Sequence, residues 1–196
     1  MTMNKGRLEA FSDGVLAIII TIMVLELKVP HSPELSSLVP MLPTLFCYLI
    51  SFIYVGIYWS NHHHLMHSVR KVNGAILWAN LHLLFWLSLV PFTTAWMGEN
   101  HFLLWPVVFY GFNLMMSGVA YYILTRTLLS IEGPDSTLAR ALKCDYKGKI
   151  SVVLYAIAIA AAFYESWISY LIYVGVAGMW LVPDRRIENI LVHTEG

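Results

Sequence analysis

The chain is a succession of long apolar runs separated by short polar stretches. The first run extends from Gly14 to Leu25, and Thr21 carries its one polar side chain. About 20 apolar residues make a helix long enough to cross a membrane. The pattern therefore predicts six membrane-spanning helices, with a kink at Pro91 in the third. The predicted helices cover approximately residues 8–29, 41–65, 75–97, 102–129, 150–164 and 166–182.

Composition indicates the same class of protein. Hydrophobic residues make up 58% of the chain and charged residues 12%, against roughly 25% charged residues in soluble domains. The expected fold is a single all-α polytopic membrane domain over residues 1–196. Gly-x-Ser-x-Gly, His-Glu-x-x-His and Gly-x-x-x-x-Gly-Lys patterns are absent, so neither an enzyme nor a cofactor is predicted, and no nucleic-acid signal is present. Cys47 and Cys144 show no metal-ligand spacing and are not expected to form a disulfide.

The basic residues indicate an orientation. Six helices place both termini on one side, together with the second and fourth loops, and eleven of the twelve lysines and arginines fall there. Lys28 is the one exception. Because basic residues collect on the cytoplasmic side, both termini are predicted to be cytoplasmic. The cluster of Arg140, Lys143, Lys147 and Lys149 is expected to meet anionic lipid headgroups.

The first helix begins with charged residues. At 100° per residue, Arg7 starts a stripe that Ile22 flanks, and Asp13 points to another neighbour. The other members of this stripe are Phe11, Gly14, Ile18, Thr21 and Leu25. A charge at bilayer depth costs roughly 3 kcal/mol or more without a partner or water, so Arg7 and Asp13 are expected to contact protein. An ordinary buried helix with a polar anchor is the alternative. Asp13 and the lack of a cleavage site argue against a signal peptide.

A family resemblance rests on these residues. Arg7-x-x-x-Phe11-Ser12-Asp13 resembles the R-x-x-x-F-S-D signature on the first helix of the lysosomal and endosomal transmembrane potassium channel family, which has bacterial members. Trp59-x-x-His62-His63 agrees with it, as does the third-helix stretch 84–92. The resemblance implies a potassium-permeable cation channel in the bacterial inner membrane. K⁺ is then the permeant ion, with other monovalent cations as further candidates.

The resemblance also implies a pore made by the first helix. In the family, bulky apolar side chains on this helix form the narrowest point, with a hydroxyl layer nearby. Carried to this chain, Ile18 forms the constriction, Ile22 and Leu25 add apolar layers, and Thr21 supplies the hydroxyl for selectivity. The chain has no Thr-Val-Gly-Tyr-Gly filter, and no structural metal is expected. Ala17 stands where family repeats have serine, which implies weak selectivity for potassium.

Assembly follows from the number of pore helices. One chain offers one such helix, and one helix cannot enclose a pathway. Family members with two six-helix repeats act as dimers, so a single-repeat chain is expected to form a homotetramer with closed symmetry. The first helices of the four copies would then surround the central axis.

Polar residues on the second and third helices are candidate partners for the first. The expected network joins Arg7, Ser12 and Asp13 to partners on those two helices, because all of them need partners at similar depth. These predicted partners are Trp59, His62, His63, Asn80 and His82. His63 and His67 are four residues apart and could ligate zinc, but no Cys, Asp or Glu lies nearby in sequence.

Two other classes of protein remain open. A small secondary transporter would normally show internal repeats and broken helices near the midplane, and neither is visible in the sequence. A non-conducting structural membrane protein would account for the hydrophobicity. It would not account for a charged pair at the mouth of an apolar stripe.

Overall fold

The computed structural model describes residues 4–67, 69, 72–133, 136, 138–139 and 146–181. This part of the chain is built from α-helices, with one 3-10 helix at Leu35–Met41. The α-helices are α1 (Lys5–Leu25), α2 (Leu42–His67), α3 (Gly74–Ser88), α4 (Val90–Glu99), α5 (Leu104–Glu132), α6 (Tyr146–Ala162) and α7 (Ser166–Leu181). The predictions made for Arg140, Lys143 and Cys144 fall outside the described residues.

Four helical segments are long and apolar enough to cross a membrane. They are Lys5–Leu25, Leu35–His67, Gly74–Glu99 and Leu104–Glu132. The helices α6 and α7 are shorter, at 17 and 16 residues. Counting α3 and α4 as one interrupted segment, the described residues form six helical segments, as the hydropathy pattern predicted.

The third predicted helix is interrupted close to Pro91. The backbone leaves the helix at Leu89, and Pro91 occupies the first turn of α4. Proline lacks the N–H that would bond the carbonyl of Leu87, so the hydrogen-bond ladder cannot continue there. The sequence showed a kink at this point, and the structure has two separate helices. This interruption differs from the reading that no helix of the chain is broken.

Several helix ends differ from their predicted positions. The helix α1 ends at Leu25 instead of residue 29, because the residues before Pro30 are disfavoured in helical conformation. Lys28 lies beyond this end, and its Nζ is 2.5 Å from Oε1 of Glu99 at the end of α4. The turn before α5 places His101 and Phe102 at positive φ, so α5 starts two residues later than predicted.

The helices pack around two apolar clusters. One cluster joins α1 and α3 to the second halves of α2 and α5. The other joins the first halves of α2 and α5 to α4, α6 and α7. Close packing in the second cluster requires glycine at Gly111, where a Cβ would overlap the hydroxyl of Tyr173. The helix α1 therefore belongs to one cluster only and packs against α2, α3 and α4.

Candidate pore helix and its supporting network

One face of α1 is buried in its own subunit. Asn4 starts the helix by accepting a hydrogen bond from the Gly6 N–H through its side chain. The buried positions then recur at steps of three and four, which is the spacing of one helical face. They are Leu8, Ser12, Leu16, Ile19 and Met23.

The opposite face carries the predicted stripe, and it is exposed in the single chain. The exposed fractions are 58% for Ile18, 42% for Ile22 and 79% for Leu25. Thr21 lies on the same face and is also exposed. An ordinary helix buried by its own subunit is therefore ruled out for this face. These side chains meet lipid, another copy of the chain, or a water-filled path.

A buried hydrogen-bond network joins α1 to α2 and α3. Ser12 Oγ donates to the Leu8 carbonyl at 2.9 Å and accepts from Asn80 Nδ2 at 3.0 Å. Asn80 Oδ1 lies 2.7 Å from His62 Nε2. Because an amide oxygen can only accept, His62 donates from Nε2. Asn80 therefore connects the first helix to the second with both ends of its side chain in use.

Asp13 has a separate partner on the outer side of the same helices. Trp59 Nε1 donates to Asp13 Oδ1 at 3.1 Å. The ring of His63 stacks on Trp59, with centroids 6.2 Å apart and planes at 30°. Trp59, Asp13 and His63 are all exposed in the single chain. This second set of contacts lies beside the exposed stripe instead of inside the subunit.

Two of the predicted network residues behave differently. His82 Nε2 accepts a hydrogen bond from Trp86 Nε1 at 3.0 Å, one turn further along the same helix. The prediction that His82 helps to hold the first helix is therefore wrong. Arg7 is exposed and makes no ion pair with any residue that the structure describes. The four-residue spacing of His82 and Trp86 was the sequence signal for this local bond.

The histidine-rich end of α2 serves a different contact from the one its sequence suggested. His63 and His67 face each other, with ring centroids 6.4 Å apart. Lys5 Nζ donates to the His67 carbonyl at 3.0 Å, which ties the start of α1 to the end of α2. Within the described ranges, no group of three or more His, Cys, Asp or Glu side chains could hold a metal ion. Zinc binding therefore gains no support.

The chain is similar to known channels along most of its length. The model of the family described as "Endosomal/lysosomal potassium channel TMEM175" matches residues 7–91, the range that contains the whole network. A potassium channel of Chryseobacterium sp. is 57% identical over 189 residues, covering 96% of this chain and 98% of the relative. A potassium channel of Chamaesiphon minutus is 31% identical over 182 residues, covering 85% of this chain and 88% of the relative.

The fold is also similar to a solved structure. The crystal structure of a lysosomal potassium-selective channel TMEM175 homologue from Chamaesiphon minutus superposes with a TM-score of 0.78 at 29% identity. The match covers 91% of this chain and 96% of that one. Extensive sequence identity and a shared fold agree with the assignment made from the sequence. The chain is therefore an all-α integral membrane protein that belongs to the TMEM175 family.

Proposed function

We propose that this protein is a potassium-permeable cation channel, in which α1 lines the pore and four copies of the chain surround it. The observation that carries this proposal is the two-sidedness of α1. Its buried face holds the helix against α2 and α3, while Ile18, Ile22 and Leu25 are left exposed on the other face. The relatives named potassium channels support K⁺ as the permeant ion.

The composition of the exposed face favours a pore over a lipid contact. The face contains Arg7, Gly14 and Thr21 as well as large apolar side chains. A charged side chain facing lipid is costly, whereas the mouth of an aqueous path provides water for it. One copy of α1 cannot surround such a path, so closed symmetry around four copies completes it. Four copies of Ile18, Ile22 and Leu25 would then form apolar rings along the axis.

The expected orientation places both termini in the cytoplasm of a bacterial cell, with the protein in the plasma membrane. Lys5 bonds to the last residue of α2, so the start of α1 and the end of α2 lie together. Lys28 pairs with Glu99 at the opposite end of α1. The one basic residue outside the cytoplasmic set thus has an acidic partner, which fits the positive-inside rule.

A secondary transporter is the second candidate, and the interruption between α3 and α4 is the observation in its favour. Discontinuous helices line the substrate sites of many transporters. The polar residues at this interruption are occupied by their own subunit, however. Thr94 donates to Ser51 at 2.7 Å, and Ser51 lies 2.9 Å from the hydroxyl of Tyr110.

Flux through purified protein in liposomes distinguishes these functions. A potassium gradient without a proton or sodium gradient should drive flux that stops at the potassium equilibrium potential. A transporter would instead require a second, coupled ion, and a structural protein would leave the liposomes tight. Absence of potassium flux from liposomes that contain monodisperse tetramers would refute the channel proposal.

Asp13→Ala is expected to reduce the yield of tetramers more than it alters selectivity. The change removes the acceptor for Trp59 Nε1, and a hydrogen bond to a charged group contributes about 1.5–3 kcal/mol. Size-exclusion chromatography measures the loss, and Asp13→Asn is the control because it keeps an acceptor oxygen. A stable, fully conducting Asp13→Ala tetramer would show that this contact does not support assembly.

Thr21→Val is expected to lower the permeability ratio of potassium to sodium. The Thr21 hydroxyl donates to the Ile18 carbonyl at 2.8 Å, which leaves the oxygen lone pairs available to water or an ion. Valine keeps nearly the same shape without the oxygen. Reversal potentials under bi-ionic conditions give the ratio. Thr127 makes the same kind of bond on α5, so Thr127→Val is a matched control, and an unchanged ratio in Thr21→Val would assign selection to another layer.

A further inference from the structure

A pocket away from the proposed pore opens between α2, α5, α6 and α7. It encloses about 430 Å³ of open space. Its lining includes Asn61 near the end of α2, Gly148 in the first turn of α6 and Trp180 next to the last residue of α7. These positions place the pocket at the end of the bundle where the orientation inferred above puts the cytoplasm.

The wall of the pocket is largely aromatic. Four tyrosines contribute to it, together with Trp180. Such side chains have an apolar ring and a polar tip, which suits the boundary between hydrocarbon and water. An occupant must therefore have an apolar part, and polar atoms such as the Asn61 amide are available along its length. None of the lining residues is acidic.

A missing side chain creates part of this space. Gly118 lines the pocket, and a Cβ built there would lie 3.7 Å from a methyl group of Val152 and 3.8 Å from the Tyr58 hydroxyl. Both distances are ordinary van der Waals contacts, so alanine would fit. A larger side chain would occupy the space itself.

A positive charge stands at the rim of the pocket. Lys147 Nζ lies 6.0 Å from the ring centroid of Trp180. Trp180 Nε1 donates to Ser151 Oγ at 2.8 Å, and Ser151 Oγ in turn donates to the Lys147 carbonyl at 2.8 Å. The ring and the backbone of the lysine are therefore held together. This arrangement favours a negatively charged group at the mouth of the pocket.

We propose that this pocket binds an anionic phospholipid of the cytoplasmic leaflet, with its phosphate beside Lys147 and the upper part of an acyl chain against the tyrosines. Basic pockets between membrane helices on the cytoplasmic side bind such headgroups, and the bilayer supplies phospholipid at this depth. The site is more specific than the general attraction of a basic cluster to the membrane surface. It does not depend on whether the protein conducts potassium.

Thermal unfolding of the purified, detergent-solubilised protein tests this proposal. A ligand that binds the folded state raises Tm with its concentration. Dioleoyl-phosphatidylglycerol should raise Tm more than dioleoyl-phosphatidylcholine does. This difference should be lost in Gly118→Leu, which fills the pocket, and in Lys147→Gln, which removes the charge. The matched controls are Gly118→Ala and Lys149→Gln, which should keep the difference.

Two outcomes would overturn the proposal. Equal shifts with the two lipids in the wild-type protein would show that the site does not select an anionic headgroup. A difference between lipids that persists in Lys147→Gln would place the headgroup elsewhere on the surface. Lys147 is at the rim, so this variant decides the question even if Gly118→Leu is not obtained as folded protein.

Discussion

Ile18→Asn is expected to raise the potassium flux of reconstituted protein and to weaken its discrimination between potassium and sodium. Ile18 lies on the exposed face of α1, with 58% of its side chain accessible in the single chain. A narrow ring of apolar side chains offers no ligands to an ion and closes a pore by drying out. A ring of four asparagines would stay wet, so hydrated ions would cross it more easily.

The next residue along the chain provides the contrast. Ile19 points to the opposite side of α1 and is only 3% exposed. Ile19→Asn would bury an amide without a partner in the apolar cluster, which costs about 1–3 kcal/mol or more. Ile19→Asn should therefore lower the yield of folded protein without raising the flux of what remains. Adjacent, chemically identical changes are thus expected to give opposite results.

A liposome flux assay paired with size-exclusion chromatography separates these outcomes. A folded Ile18→Asn tetramer with wild-type flux and selectivity would refute the constriction. Loss of folding in Ile18→Asn, equal to that in Ile19→Asn, would show instead that the exposed face packs against protein in the assembly. The comparison with Ile22→Asn then locates the narrowest ring along the helix.

Asn80→Leu is expected to destabilise the protein strongly and to reduce tetramer yield. Leucine is close in size to asparagine, but it cannot donate to Ser12 or accept from His62. Both partners are buried, and each buried polar group left without a partner costs about 1–3 kcal/mol. The sum is a large fraction of the ~5–15 kcal/mol by which domains are stable.

A second buried asparagine serves as the control. Asn113 is 2% exposed, and its Nδ2 makes only a long bond of 3.4 Å to Thr93. Its Oδ1 has no partner within the described part of the chain. Asn113→Leu should therefore cost much less than Asn80→Leu, although both changes are the same chemically. An equal or larger fall of Tm in Asn113→Leu would contradict the importance assigned to the network.

The coupling between the two helices can be measured directly. Ser12→Ala removes the acceptor for Asn80 Nδ2 on α1, and the double variant removes both sides of the contact. Residues joined by a hydrogen bond show non-additive effects, typically of 0.5–3 kcal/mol. Additive losses in free energy of unfolding would mean that Ser12 and Asn80 support the fold independently.

Much of this protein could be predicted from the order of its residues. Hydropathy predicted the membrane class and the approximate helical segments, because the number of apolar residues needed to cross a bilayer is a property of the membrane. Helical periodicity predicted that Ile18, Ile22 and Leu25 share one face of α1, since that spacing depends only on helix geometry. The polar residues at the start of α1 predicted partners on other helices, because unpaired groups at this depth are costly.

The choice of partners was decided by the tertiary structure. Ser12 meets Asn80 across 68 positions of the chain and Asp13 meets Trp59 across 46, and no local pattern reports such distant contacts. His82 had the same polarity and depth as Asn80, yet it turns to Trp86 on its own helix. The separation of α3 from α4 was likewise a matter of packing, because a proline can bend a membrane helix without dividing it. Periodicity describes how one helix presents its side chains, whereas the neighbour on each face depends on how the helices are arranged around one another.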